Sequence, residues 1–351
     1  MHHILRNFFI ISFLSIITLS VYAKSDPTDD GKFDAKGMIL HHIADDYSWH
    51  FFDYKDANGE EHHAALPLPV ILFTDGHLDV FMSSAFHYGK DQVVVDDRVY
   101  RLDHGHILEA NQKKILDFSF TKNVASMFLG CVILVLVFTS VGRSYTKRAG
   151  QAPSGLQAFL EPLVLFIRDG VIIANIGEKH YKRFVPYLLT LFFFIWINNL
   201  LGLLPTGANA SGNISFTFTL AIFTLILTTI SGSKDYWGHI FNMPGVPKLM
   251  LLIMIPVEII GIFTKPFALM IRLFANITAG HIVILSLVSF IFLFKNILMG
   301  VPVGLFVVAI TFLELFVAAL QAYIFTLLSS LFIGLALEEH EHHEEAHAAH
   351  Q

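Results

Sequence analysis

Between residues 251 and 337 the sequence is almost wholly apolar, and the side chains able to do chemistry can be named singly. The ionisable ones are Glu258, Lys265, Arg272, His281, Lys295 and Glu314, with amides at Asn276, Asn296 and Gln321. Arg272 sits near the midpoint of residues 249–294, and between residues 267 and 294 His281 is the only other ionisable residue. A guanidinium keeps its proton at any workable pH, so such a position in a membrane costs several kcal/mol and is tolerated where the charge has a task. Snorkelling to the interface suits residues near a helix end, and Arg272 lies far from both ends of its segment.

Helical periodicity groups these residues. At about 100° per residue, Glu258, Lys265, Arg272 and Asn276 fall within about 40° of one another and form a polar stripe on an apolar rod. A permanent cation at mid-depth, with the carboxylate of Glu258 about 20 Å toward one end, describes an ion path interrupted by a charge. His281 falls about 180° from Arg272 on an ideal helix. The arrangement therefore requires Arg272 to face a partner and His281 to face a second helix, or a local distortion at Gly280. If residues 249–294 and 303–337 form an antiparallel hairpin, His281 lies level with Glu314 and Asn276 with Gln321, each within one helical turn. Glu314 and Gln321 share a face, and Ala318, Ala319 and Ala322 allow close approach of the helices. A histidine titrates near neutrality and a buried carboxyl can be brought into the same range, so the pair suits a proton relay. The plainer alternative is a buried hydrogen bond that fixes the hairpin.

The elements that must hold these residues follow from composition. With 54% hydrophobic residues, 34 Phe and a mean hydropathy of +0.60, the chain is a multi-span helical membrane protein. A net charge of −6 gives no case for nucleic acid, and the single Cys131 excludes an internal disulfide and a cysteine-based metal site. Residues 1–23 read as a signal peptide: Arg6, about 12 apolar residues, then a small-residue site ending at Ala23; an uncleaved anchor is the alternative. Residues 24–117 are polar and rich in turn signals. The segments 68–73 and 77–82 flank Asp75-Gly76 as a β-hairpin, and 92–95 and 99–102 read as further strands of a small extracytoplasmic β-rich domain. Its histidines, among them His41, His42, His62, His63, His104 and His106, lack a spacing that fixes metal geometry and suit a solvated surface.

The positive-inside rule orders the rest. A span at 123–141 is followed by Arg143, Lys147 and Arg148, which places its end in the cytoplasm. Residues 156–177, carrying Glu161, Arg168 and Asp169, suit an interfacial amphipathic helix. Spans at 184–204 and 214–230 follow, then the two long helices, at about 70 and 50 Å too long for a hydrocarbon core of about 30 Å unless tilted or broken. Pro256 and Pro266 could bend the first, and residues 295–302 make the turn. Residues 118–338 thus form an all-α polytopic domain of about five spans plus an amphipathic helix, and the His/Glu-rich residues 339–351 a cytoplasmic tail.

The stretches KPFALMIRLFANITAGHIV at 265–283 and ELFVAALQAYIFTLLSSLFI at 314–333 resemble the signature of subunit a of the F-type ATP synthase, the stator part of the Fo proton channel. EPLVLFIRDGV at 161–171 and TLFFFIWINNLLGLLP at 190–205 resemble the same family, and the likeness covers about residues 118–338. It implies that Arg272 is the stator arginine facing the c-ring carboxylates. It further implies that Asn276, His281, Glu314 and Gln321 line the inlet half-channel and that Glu258 lies on the cytoplasmic exit side. Some members carry the acid on the first helix and the histidine on the second; here they are exchanged. The resemblance also implies a bacterial inner-membrane location, contacts with the c-ring, peripheral-stalk subunit b and lipid, no cofactor in this chain, and ATP chemistry on other subunits. A stand-alone transporter or channel would need a substrate site of its own at mid-depth, usually with internal pseudo-symmetry, and no duplicated pattern is seen. A purely structural anchor subunit leaves the cost of Arg272 unexplained.

Overall fold

The computed structural model describes residues 36–37, 39, 43–55, 61–89, 91–103, 105–111, 114–204, 208–241, 247–294 and 297–338. The expected signal peptide, the tail, and His41, His42, His104, Lys295 and Asn296 lie outside the described residues.

The N-terminal part is built of strands. β1 (Ser48–Lys55) pairs antiparallel with β2 (Glu61–Pro67). β3 (Pro69–Thr74) and β4 (His77–Met82) form the hairpin expected from Asp75-Gly76. Both turn residues have positive φ, 51° and 83°, as a two-residue turn of the right twist requires, and Asp-Gly accepts that conformation at little cost. The chain continues through β5 (Val93–Val95), β6 (Arg98–Asp103), β7 (His106–Glu109) and β8 (Ile115–Asp117). β8 returns to the free edge of β3, giving sheet orders β4-β3-β8 and β5-β6-β7. Tyr47, Val70, Leu72, Phe86, Val93, Tyr100 and Ile107 form the core. Within it, buried Asp79 accepts from Arg98 at 2.7 Å and from the Tyr100 hydroxyl at 2.6 Å, so its charge is paired rather than stranded.

The rest is helical. α1 spans Lys122–Lys147, longer than the expected 123–141 because the polar turn carrying Arg143 and Lys147 continues the helix past the apolar run. α2 runs over Leu156–Ile167, a π-helical turn Arg168–Ile173 and a last turn Ala174–Ile176. α3 is Tyr181–Gly202, α4 is Ile214–Ser231 and α5 is Lys234–Phe241. The sequence reading had no element at α5, whose eight residues are too short and too polar for a periodic signal. α6 (Lys248–Phe294) keeps Pro256 and Pro266 inside one continuous helix of 47 residues. α7 (Ile297–Leu337) begins six residues before the expected start at 303 and takes Pro302 inside it. A proline removes one backbone bond, but among apolar neighbours such as Leu298, Met299 and Val301 the remaining helical bonds outweigh that loss.

Five of these helices, α1, α3, α4, α6 and α7, are long and apolar enough to cross a membrane. The described chain is thus a polytopic helical membrane protein with strands at its N-terminal side. It divides into two compact units, one of Met1–Ile133, Ile197–Asn213 and Asn276–Ala318, the other of Leu134–Trp196, Ile214–Ala275 and Ala319–Gln351.

Candidate functional site

In the first unit the expected meeting of His281 and Glu314 is present. His281 Nδ1 lies 3.9 Å from Glu314 Oε1, the histidine 16% exposed and the carboxylate side chain 3%. What permits it is Gly280: a Cβ there would overlap Glu314 Oε1 and lie 3.0 Å from its Cδ. The carboxylate therefore rests against bare α6 backbone. Among the described residues neither oxygen of Glu314, nor His281 Nε2, meets a hydrogen-bond partner. Burying such groups unpaired costs free energy, so packing alone does not account for the pair.

Several surrounding groups are bonded, although buried Thr278 Oγ1 also meets no hydrogen-bond partner among the described residues. One turn beyond Glu314, the carbonyl of Ala318 accepts from Asn199 Nδ2 at 3.1 Å, and Asn199 Oδ1 accepts from Ser211 Oγ at 2.5 Å. Ser126 Oγ of α1 donates to the Ala208 carbonyl at 3.2 Å. Asn209 caps the turn Ala210–Gly212 by accepting from Gly212 N at 3.0 Å. Asn199 and Ser211 escaped the sequence reading, which considered Gly280 only as a site of local distortion. An amide in an apolar run was visible for Asn199, but nothing local marks the glycine as the one beneath a carboxylate.

In the second unit Arg272 is exposed on α6, as Phe267, Ala268, Ile271 and Ala275 are, while Leu269, Met270 and Leu273 on the other side are buried. Arg272 makes no hydrogen bond or ion pair among the described residues. Asn276, in the first unit, is exposed as well. Gln321 is buried on α7 in the second unit, within a face made of Ala322, Phe325, Thr326, Ser329, Ser330 and Ile333.

Toward the start of α6, Lys265 Nζ stands 5.6 Å over the Phe332 ring. It borders a cavity of about 20 Å³, the size of one water, with Thr224, Thr228, Tyr236 and Phe332. Glu258 is half-buried, and its charge, after burial, helps hold the Tyr236 hydroxyl above its ordinary value. A line of hydroxyls joins Tyr187 to Thr224 at 2.9 Å and Thr224 to Ser329 at 3.4 Å. The carbonyl of Val171, in the π turn of α2, accepts from Asn175 Nδ2 at 2.7 Å and from Ser330 Oγ at 3.2 Å.

Residues 124–334 match the family model described as ATP synthase A chain. The chain belongs to that family. A protein called ATP synthase subunit a from Chloroherpeton thalassium is 50% identical over 237 residues, covering 66% of this chain and 70% of the relative. ATP synthase subunit a 2 of Chlorobaculum tepidum is 49% identical over 245 residues, covering 67% and 69%. An ATP synthase subunit a from an Anaeromyxobacter species is 41% identical over 326 residues, 88% of this chain and 72% of that one, so its likeness reaches beyond the helices. Residues 38–126 match a further model, described as a domain of unknown function (DUF8433). As an ATP synthase A chain, the protein belongs to the membrane Fo sector of a complex of several subunits.

Proposed function

We propose that this chain is the stator of a rotary proton path, and that Arg272, Asn276, His281, Glu314, Gln321 and Glu258 carry it. The observation that carries the reading is Arg272, a permanent cation exposed on an apolar helix face with no anion of its own among the described residues. The nearby exposed residues Ala268 and Ala275 are small, which lets another helix come close. A c-ring carboxylate fits that position by charge and by space.

A proton reaches the rotor by way of His281 and Glu314, which at 3.9 Å are beyond direct hydrogen-bond reach and exchange it through a water or after closing the gap. Asn276 and Gln321 extend this inlet. Once neutral, the rotor acid can move into lipid, because a neutral acid is far cheaper there than an anion. On the exit side it loses its proton near Glu258, and the anion is drawn to Arg272. The fixed cation also blocks protons from passing straight between the two paths, preserving a drive of about 2.3 kcal/mol per charge per 100 mV. Residues 24–117 form an extracytoplasmic domain behind a cleaved signal peptide, with the C-terminus in the cytoplasm of a bacterial inner membrane. The c-ring, peripheral-stalk subunit b and lipid are the partners.

Arg272→Ala, assembled into the complex and reconstituted in vesicles, tests this. The expected result is loss of gradient-driven ATP synthesis with the complex still assembled. Near-normal coupled synthesis by the variant refutes the reading.

A further inference from the structure

The sheet β4-β3-β8 has one mixed face on the core and one apolar face that is exposed. One face packs on the core through Val70 and Leu72, with Asp79 paired inward. The opposite face is a grid fixed by the strand register. Leu78, Phe73 and Leu116 form one row and Val80 and Ile71 the start of the next. Phe118 completes that second row, its N–H donating to the Ile71 carbonyl at 2.9 Å. Met82 and Pro69 are paired in the third row, where the N–H of Phe120 donates to the Pro69 carbonyl at 3.0 Å. Seven of the nine side chains are between 38% and 63% exposed: Phe73, Leu78, Val80, Met82, Leu116, Phe118 and Phe120. At about 4.8 Å between strands and about 6.8 Å between same-face residues, the grid covers about 14 by 20 Å without a charge or a hydrogen-bonding side chain. A contiguous exposed apolar patch of this extent marks an interaction surface.

Chain connectivity says what it meets. Phe120 in the third row is two residues from Lys122, where α1 begins. The domain is also tied to that helix start: Lys122 N donates to the Asp46 carbonyl at 2.8 Å and Asn123 N to Asp45 Oδ1 at 3.2 Å. Asp45 Oδ2 lies 3.5 Å from Asn213 Nδ2, beside the start of α4, so a second span begins at the same level. The near edge of the grid is thereby held at the membrane boundary.

We propose that this sheet face lies on the lipid surface at the N-terminal end of α1, immersing Leu78, Val80, Phe118 and their neighbours in the interfacial region as a β-sheet counterpart of an amphipathic interfacial helix. The β-rich domain is then a membrane-seated collar on the first span. The proposal does not depend on the proton path.

Nitroxide labels on the full-length chain test it, in a Cys131→Ser background with Leu78→Cys, Val80→Cys or Phe118→Cys, each read alone in phosphatidylcholine/phosphatidylglycerol vesicles and in the assembled complex. Asp97→Cys and Val94→Cys, on exposed positions of the other sheet region, report the aqueous reference. The expected result is collision with oxygen several-fold above, and with a water-soluble nickel chelate several-fold below, the two references. Chelate access equal to the references overturns the proposal by placing the face in water. Exclusion of both reagents overturns it by showing protein, a partner subunit or a second copy, on the face.

Discussion

Gly280→Ala is the smallest change that addresses the proton relay directly. The added methyl overlaps Glu314 Oε1 and stands 3.0 Å from Cδ and 3.2 Å from Cγ, so the carboxylate must leave its place against α6. Retreat is confined, since Glu314 is 2% exposed and its neighbours along the same face, Ala318 and Val307, are buried. Overpacking of this kind costs about 1–3 kcal/mol. If that strain falls on the arrangement that passes the proton, passive flux through Fo falls about five- to 150-fold, at about 1.4 kcal/mol per tenfold. The assay is acidification of vesicles carrying reconstituted Fo under a potassium diffusion potential, followed with a pH-sensitive dye. Aspartate, one methylene shorter, withdraws the carboxylate from the new methyl. Glu314→Asp alone should slow the flux by lengthening the distance to His281, yet the double variant Gly280→Ala/Glu314→Asp should conduct better than Gly280→Ala alone. Wild-type flux in Gly280→Ala, or a double variant no better than the product of the two singles, refutes the placement of this carboxylate in the path.

Three further outcomes are expected. Glu314→Gln should cut passive proton flux while the complex assembles, since the amide keeps the shape and loses the titration; unchanged flux removes Glu314 from the path. Asn199→Ala, which frees both the Ala318 carbonyl and Ser211 Oγ in a buried setting, should cost about 1–3 kcal/mol, read as a lower midpoint of thermal unfolding in detergent. No change there means that water replaces the amide at no cost. Burial and then Asp117, at 2.5 Å, push the Tyr47 hydroxyl up from its ordinary value, so the folded domain holds the neutral phenol. The stability this gives is full below about pH 10 and is lost as pH rises beyond it. Tyr47→Phe should therefore flatten the alkaline loss of the domain's near-ultraviolet dichroism, and an equal slope in both proteins would assign the loss elsewhere.

Different signals made different parts of this molecule legible in sequence. Long apolar runs bounded by basic residues located every span to within a few residues, because length and apolarity are what a bilayer demands. The Asp75-Gly76 hairpin was readable because two positive φ angles in succession restrict the residue choice. β1, β2, β7 and β8 were not. The three residues Ile115–Asp117 have no periodicity of their own and become a strand only because β3 offers a free edge. Pro302 misled for the opposite reason: proline's local preference to stop a helix was overruled by the apolar setting of α7. At the site, the level of His281 against Glu314 followed from hairpin arithmetic, but the role of Gly280 exists only across two helices.

The polar groups of the first unit sort into two kinds by their partners. Asn199, Ser211, Ser126 and Asn209 have hydrogen-bond partners within the protein, and each ties a loop or a helix to its neighbour. Removing any of them costs stability, which is a sufficient reason for their presence. Glu314 and His281 lie one turn away, with three buried polar atoms unpaired among the described residues. Replacement by apolar residues of similar shape would relieve that cost, so stability alone does not explain them. Unpaired polarity beside a bonded frame suits a transported proton: the frame fixes the distance, and the free valences are left for the passenger. On this argument Glu314→Leu with His281→Leu should raise the unfolding temperature of the isolated chain while abolishing proton flux. A double variant that loses both stability and flux would instead make the pair a structural hydrogen bond of the hairpin.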